Sequence, residues 1–116
     1  MTRVSRFGPP LALMAVIFVL SAQPDLNSGL GGWDTVLRKL AHMAEFGLLY
    51  LLWWRALGYG SPLPAAAIAI GYAITDELHQ TTVEGRVGSP IDVLIDSAGV
   101  VLAIAAARWW ARRRTR

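Results

Sequence analysis

The sequence predicts an all-α fold, a bundle of four transmembrane helices made by a single domain of 116 residues. Three observations predict it. Hydrophobic residues make up 54% of the chain and charged residues only 16%, whereas a soluble domain carries about a quarter charged. The apolar residues fall in long blocks without the polar face that a helix at a water interface shows every turn. Basic residues gather at the ends of those blocks, where membrane proteins place them.

The first block runs from about Phe7 to Ala22 and stops at Gln23-Pro24-Asp25. It lies near the lower limit of roughly 17 residues for a span. Arg3 and Arg6 ahead of an apolar core ending in small residues also fit a signal peptide, but no soluble mature domain follows for it to deliver. The second block runs from about Val36 to Leu57 and is interrupted by His42 and Glu45. The third, Pro64 to Gln80, opens alanine-rich and closes in Asp76-Glu77-Leu78-His79-Gln80. The fourth, Ile91 to Trp110, carries Asp92 and Asp96 in its first turns and is otherwise apolar. Gln23–Thr35, Gly58–Leu63 and Thr81–Pro90 connect them, with the Gly, Pro and Ser content of turns. No internal repeat or low-complexity segment is present.

Composition also excludes. With no cysteine, neither a disulfide framework nor a thiolate metal site can form. The net charge of +3 does not point to nucleic acid, because five of the eleven basic residues sit in the last nine positions, at the end of an apolar helix. A basic run beside a span sets topology and meets anionic lipid. Four spans put Arg3, Arg6, Arg55 and the C-terminal arginines on one side, which the positive-inside rule makes cytoplasmic. Trp53-Trp54 and Trp109-Trp110 fall at the same interface. Both termini are expected in the cytoplasm.

That threading sends every acidic residue to the opposite half: Asp25, Asp34, Glu45, Asp76, Glu77, Glu84, Asp92 and Asp96. Arg38, Lys39, Arg86, His42 and His79 join them. Lys39, His42 and Glu45 share one face of the second helix, and Asp92 and Asp96 lie one turn apart on the fourth. A carboxylate facing lipid at the depth of Glu45 costs on the order of 3 kcal/mol, so it is expected to face the bundle. The bland reading is that these groups hold the helices together, with Gly71, Ala73, Ala98 and Gly99 permitting close packing. Their number exceeds that need, and intramembrane ionisable residues mark a functional site by default.

At these residues the chain resembles the VanZ-like family of small bacterial membrane proteins. The matching pieces are Arg38-Lys39-Leu40-Ala41-His42-Met43-Ala44-Glu45-Phe46, Asp76-Glu77-Leu78-His79-Gln80, Glu84-Gly85-Arg86 and Asp92-Val93-Leu94-Ile95-Asp96-Ser97-Ala98-Gly99. The Ser21-Ala22-Gln23-Pro24 end of the first block is also similar to the family's pattern. The pieces come in the family's order and cover about residues 15–105. Thr82-Val83-Glu84 departs from the aromatic-Val-Pro that members often show before Gly-Arg. The resemblance implies a bacterial cytoplasmic-membrane protein of the cell envelope, from a family associated with resistance to the glycopeptide teicoplanin.

Three functional expectations follow beside the structural one. The first is an outer-leaflet site that binds, and in one version hydrolyses, an anionic lipid or lipid-linked cell-envelope precursor. In it Lys39 and Arg86 take phosphate, while Glu45, Asp76, Gln80, Asp92 and Asp96 complete the ligand contacts. His42, His79 and Glu77 are its candidate catalytic groups. No Gly-x-Ser-x-Gly elbow, His-Glu-x-x-His helix or P-loop supports a specific reaction. The second is a divalent-metal cofactor on His42-x-x-Glu45 and Asp76-x-x-His79, with Asp92 or Asp96 as a further ligand. The third is proton transport through Glu45, opposed by the apolar inner halves of the spans.

Overall fold

The computed structural model describes residues 2–21, 32–82 and 90–114. They form four helices: α1 (Arg3–Ser21), α2 (Gly32–Ala56), α3 (Pro62–Gln80) and α4 (Pro90–Arg114). No strand occurs among the described residues. The helices outrun the apolar blocks that predict them. α1 starts four residues before Phe7, α2 four before Val36, α3 two before Pro64, and α4 runs on through Arg112, Arg113 and Arg114. Hydropathy marks where hydrocarbon would end, and nothing obliges the backbone helix to end there.

Two of these starts have local causes. Ser61 caps α3, its hydroxyl accepting from the Leu63 N–H at 3.3 Å, and Pro62 occupies the first turn where its missing N–H costs nothing. Pro90 opens α4 in the same way. Pro9 and Pro10 lie inside α1, where a proline deprives the carbonyl four residues earlier of its donor. For Pro9 that carbonyl belongs to Ser5, and Arg55 of α2 donates to it at 3.0 Å. The exchange is mutual: Arg6 of α1 donates through Nε to the carbonyl of Ala56, the last residue of α2. A cation there also suits the negative end of the helix dipole.

Side-chain contacts fix an up-down-up-down arrangement. Arg6 meets Ala56, so α1 and α2 are antiparallel. The Tyr72 hydroxyl donates to the Met14 carbonyl at 2.6 Å and Ser21 reaches Asp76, so α1 and α3 are parallel. α2 and α4 are parallel too, and they approach each other most closely at glycine. A Cβ placed on Gly99 would collide with the Met43 carbonyl oxygen and lie 2.8 Å from its carbon. One on Gly47 would lie 3.0 Å from the Gly99 carbonyl oxygen and 3.6 Å from Ala103 Cβ. Small residues one turn apart let helix backbones touch where side chains would hold them away. On α3 the stripe Ala65, Ala69, Ala73 plays that part, buried with Phe46, Leu49, Tyr50, Ile17 and Val100 in the core. Gly71 and Ala98, two of the small residues expected to permit close packing, instead face outward.

The distribution of polarity is inverted relative to a soluble domain. Asp76 and Asp96 are each 2% exposed, while Leu63, Leu78 and Leu94 are 74%, 64% and 69% exposed. Water rewards the opposite arrangement. α1 and α4 are long and apolar enough to cross a membrane. Nineteen residues of α1 rise about 28 Å, close to a hydrocarbon core of about 30 Å. α2 and α3 carry the ionisable residues that remove them from that class.

Candidate functional site: a buried polar ladder at one end of the bundle

Apart from Arg38, which precedes Lys39 on α2, the described arginines gather at the end away from Asp76, Asp92 and Asp96. Arg6 and Arg55 meet the ends of α2 and α1 there, and Arg108 lines a cavity with Trp54 and Pro62. At the other end, α2 and α4 form two rungs. Lys39 Nζ lies 2.9 Å from Asp92 Oδ1, with side chains 44% and 28% exposed, which puts this rung at the rim. One turn deeper His42 Nδ1 lies 3.4 Å from Asp96 Oδ1, and the Asp96 side chain is 3% exposed. The parallel run of α2 and α4 produces this match: steps of three and four residues along α2 and α4 climb the same face together. Gly47 and Gly99, just below, bring the two helices near enough for such short side chains to meet.

α1 and α3 supply the second half. Ser21 donates to Asp76 Oδ2 at 2.8 Å, and Gln80 Nε2 donates to the same oxygen at 3.1 Å. Asp76 Oδ1 is buried without a hydrogen-bond partner among the described residues. The His42–Asp96 contact is close enough for ionic attraction, yet its geometry does not make a hydrogen bond, so His42 Nδ1 and Asp96 Oδ1 also keep unused capacity. Native interiors satisfy nearly all buried polar atoms, and concentrated exceptions call for a functional account. Glu77, 8% exposed, lies within electrostatic reach of Asp76, Asp92, Asp96 and His42, which ties the two halves together. Glu45, half-buried below His42, reaches His42, Asp76 and Asp96 in the same manner.

His79 stands differently. Its ring stacks on Phe18 of α1 with centroids 4.2 Å apart, and its buried Nδ1 has no hydrogen-bond partner among the described residues. The structure thus brings Lys39, His42, Asp76, Glu77, Gln80, Asp92 and Asp96 to one end of the bundle and sets His79 against an aromatic ring. Arg86 and Glu84 lie outside the described residues. Two participants escape sequence reasoning. Ser21 is visible there only as the small-residue end of a span and as part of the Ser21-Ala22-Gln23-Pro24 piece, with no role, and Phe18 as one more apolar residue. Among the described residues, no group of three or more His, Asp or Glu is arranged to hold a metal ion.

A family model described as VanZ/LLP1 matches residues 7–111, which takes in every described polar residue of this end. The chain belongs to the VanZ-like family. No curated protein and no solved structure matches it. In this VanZ-like protein, three of the four motifs that carry the resemblance fall on the site itself: α2 brings Lys39, His42 and Glu45, α3 brings Asp76, Glu77 and Gln80, and α4 brings Asp92 and Asp96. The fourth, around Arg86, belongs to the connection between α3 and α4.

Proposed function

We propose that this VanZ-like protein crosses the bacterial cytoplasmic membrane four times with both termini in the cytoplasm, and that its polar end binds a lipid head group at the outer leaflet. The ligand is an anionic lipid or a lipid-linked cell-envelope precursor. One observation supports the reading: among the described residues, Asp76 and Asp96, each 2% exposed, hold oxygens that accept no hydrogen bond, Asp96 meeting His42 only in a 3.4 Å ionic contact, inside a bundle whose exterior is apolar. Interhelical glue would leave no such acceptors open, because their desolvation is only offset when they are paired. Lys39, part-exposed at the rim, supplies a point charge for phosphate, and Arg86 from the outer turn supplies a bidentate fork. The deeper carboxylates accept from hydroxyl or amide donors of the head group. A ligand bearing both phosphate and hydrogen-bond donors satisfies the two levels together. The positive-inside rule supports the direction, since Arg6, Arg55 and Arg108 share the other end.

Hydrolysis is the second reading, and the facing of His42 Nδ1 and Asp96 favours it. A carboxylate in that position orients an imidazole whose other nitrogen then exchanges a proton with substrate. Association with teicoplanin resistance fits either version through the envelope precursor.

Native mass spectrometry of the protein extracted with its own lipids tests the proposal. The wild-type chain is expected to retain a phosphate-bearing lipid. Lys39→Ala and Asp96→Asn are expected to lower its occupancy about tenfold, the loss of one charge-assisted contact, with helix content unchanged. Unaltered retention in both variants, or no lipid on any of them, returns the cluster to a structural role.

A further inference from the structure

The opposite end of the molecule carries a second cavity, of about 150 Å³, between the α2–α3 turn and α4. Tyr50, Trp54, Gly60, Pro62, Ile104 and Arg108 line it. Its wall is a strained turn. Gly58 has φ +89°, and Tyr59, with φ +59°, takes the left-handed conformation that side chains rarely adopt. Three contacts fix the turn on Trp54: its indole N–H donates to the Gly60 carbonyl at 2.9 Å, its carbonyl accepts from the Tyr59 N–H at 2.9 Å, and the Tyr59 ring meets it edge-on at 5.0 Å. Non-glycine residues held in this region of backbone space cluster at binding sites.

The chemistry of the lining is specific. Tyr50 is 1% exposed and stacks parallel to Trp54. Its hydroxyl lies within electrostatic reach of Arg108. Among the described residues Arg108 has no carboxylate partner: Asp76, Glu77, Asp92 and Asp96 belong to the far half of their helices, and Glu45 lies at the middle of α2. An uncompensated guanidinium at an aromatic-walled recess, at the end of an apolar helix, matches a phosphodiester with hydrocarbon attached. We propose that this cavity binds the head group of an anionic phospholipid from the leaflet at the arginine-rich end: Arg108 forks the phosphate, the Tyr50 hydroxyl donates to it, and Trp54 packs against the glycerol region. The site is independent of the polar ladder.

The competing account is diffuse attraction of the whole basic run for anionic lipid, worth about fivefold per arginine wherever it sits. The two separate in the full-length protein in micelles, titrated with phosphatidylglycerol or phosphatidylcholine and read by native mass spectrometry. One phosphatidylglycerol is expected to be retained in preference to phosphatidylcholine. Arg108→Gln and Arg108→Lys are both expected to weaken it about tenfold or more, because lysine keeps the charge and loses the fork. Tyr50→Phe, which preserves packing, is expected to weaken it as well, and Arg114→Gln to change it by no more than the diffuse fivefold. Millimolar inorganic phosphate is expected to leave the bound lipid in place. Equal losses for Arg108→Gln and Arg114→Gln, full binding by Arg108→Lys, equal retention of phosphatidylcholine, or displacement by inorganic phosphate would each overturn the assignment.

Discussion

Gly99→Ala adds one methyl group, and the structure says where it goes. The new Cβ runs into the Met43 carbonyl oxygen and sits 2.8 Å and 2.9 Å from its carbon and Cα, all of them backbone. No rotamer change relieves that contact, so α2 and α4 must part by roughly 1 Å in an interior too densely packed to absorb it. An added methylene in a filled core costs about 1–3 kcal/mol, and a clash with backbone belongs at the top of that range, about 3 kcal/mol. The same displacement lengthens the Lys39–Asp92 and His42–Asp96 rungs, now 2.9 Å and 3.4 Å. Gly71→Ala is the matched control, since a Cβ there meets nothing within 4 Å. Removing a mid-helix glycine without a clash stabilises by about 0.5–1 kcal/mol. Reversible unfolding of both variants in mixed micelles measures the difference, expected to be on the order of 4 kcal/mol. Gly99→Ala unfolding within about 0.5 kcal/mol of Gly71→Ala, the scatter of unrelated surface changes, would refute the parallel α2–α4 contact and the ladder built on it.

The rim rung is weaker than its distance suggests. A double-mutant cycle of Lys39→Ala and Asp92→Ala is expected to give a coupling of at most about 1 kcal/mol, the range of part-exposed ion pairs. Asp76 gives a sharper contrast. Asp76→Asn can still accept from Ser21 and is expected to cost little, whereas Asp76→Leu strands the Ser21 hydroxyl and Gln80 amide and is expected to cost about 1–3 kcal/mol in the same unfolding assay. At the arginine end, Arg55→Gln is expected to destabilise by about 0.5–1.5 kcal/mol, the net worth of one hydrogen bond, because the exposed Ser5 carbonyl then has neither a backbone donor nor a guanidinium. Pro9→Ala restores the N–H, so Arg55→Gln in that background is expected to cost less. Equal costs in the two backgrounds would show that Arg55 does not replace the missing donor.

Much of this organisation was legible in the residues and some was not. The third apolar block and α3 share their end at Gln80, because the polar closing motif and the helix stop coincide there. α1 begins at Arg3, ahead of two prolines that sequence reasoning places near the start of a helix, because a partner helix serves the carbonyl that Pro9 leaves open. No local pattern announces that rescue. Within the site, the spacing of Lys39 and His42, and of Asp92 and Asp96, shows that each pair shares a face of its own helix. Which face meets which depends on the rotation of one helix against another, and Gly99 sets that through a contact with backbone. The pairing of Ser21 with Asp76 is invisible for the same reason, since it joins residues from the ends of two parallel helices that are not neighbours in sequence.

The pairing of α2 with α4 has a consequence for how the molecule is made. Lys39 and His42 belong to α2, but the aspartates that answer them are synthesised later, with α4, Asp92 coming 53 residues after Lys39. Until Pro90 and the residues after it are in place, a nascent chain carries Lys39 and His42 without the carboxylates that face them in the finished fold. Both rungs are therefore absent from any chain that stops short of α4.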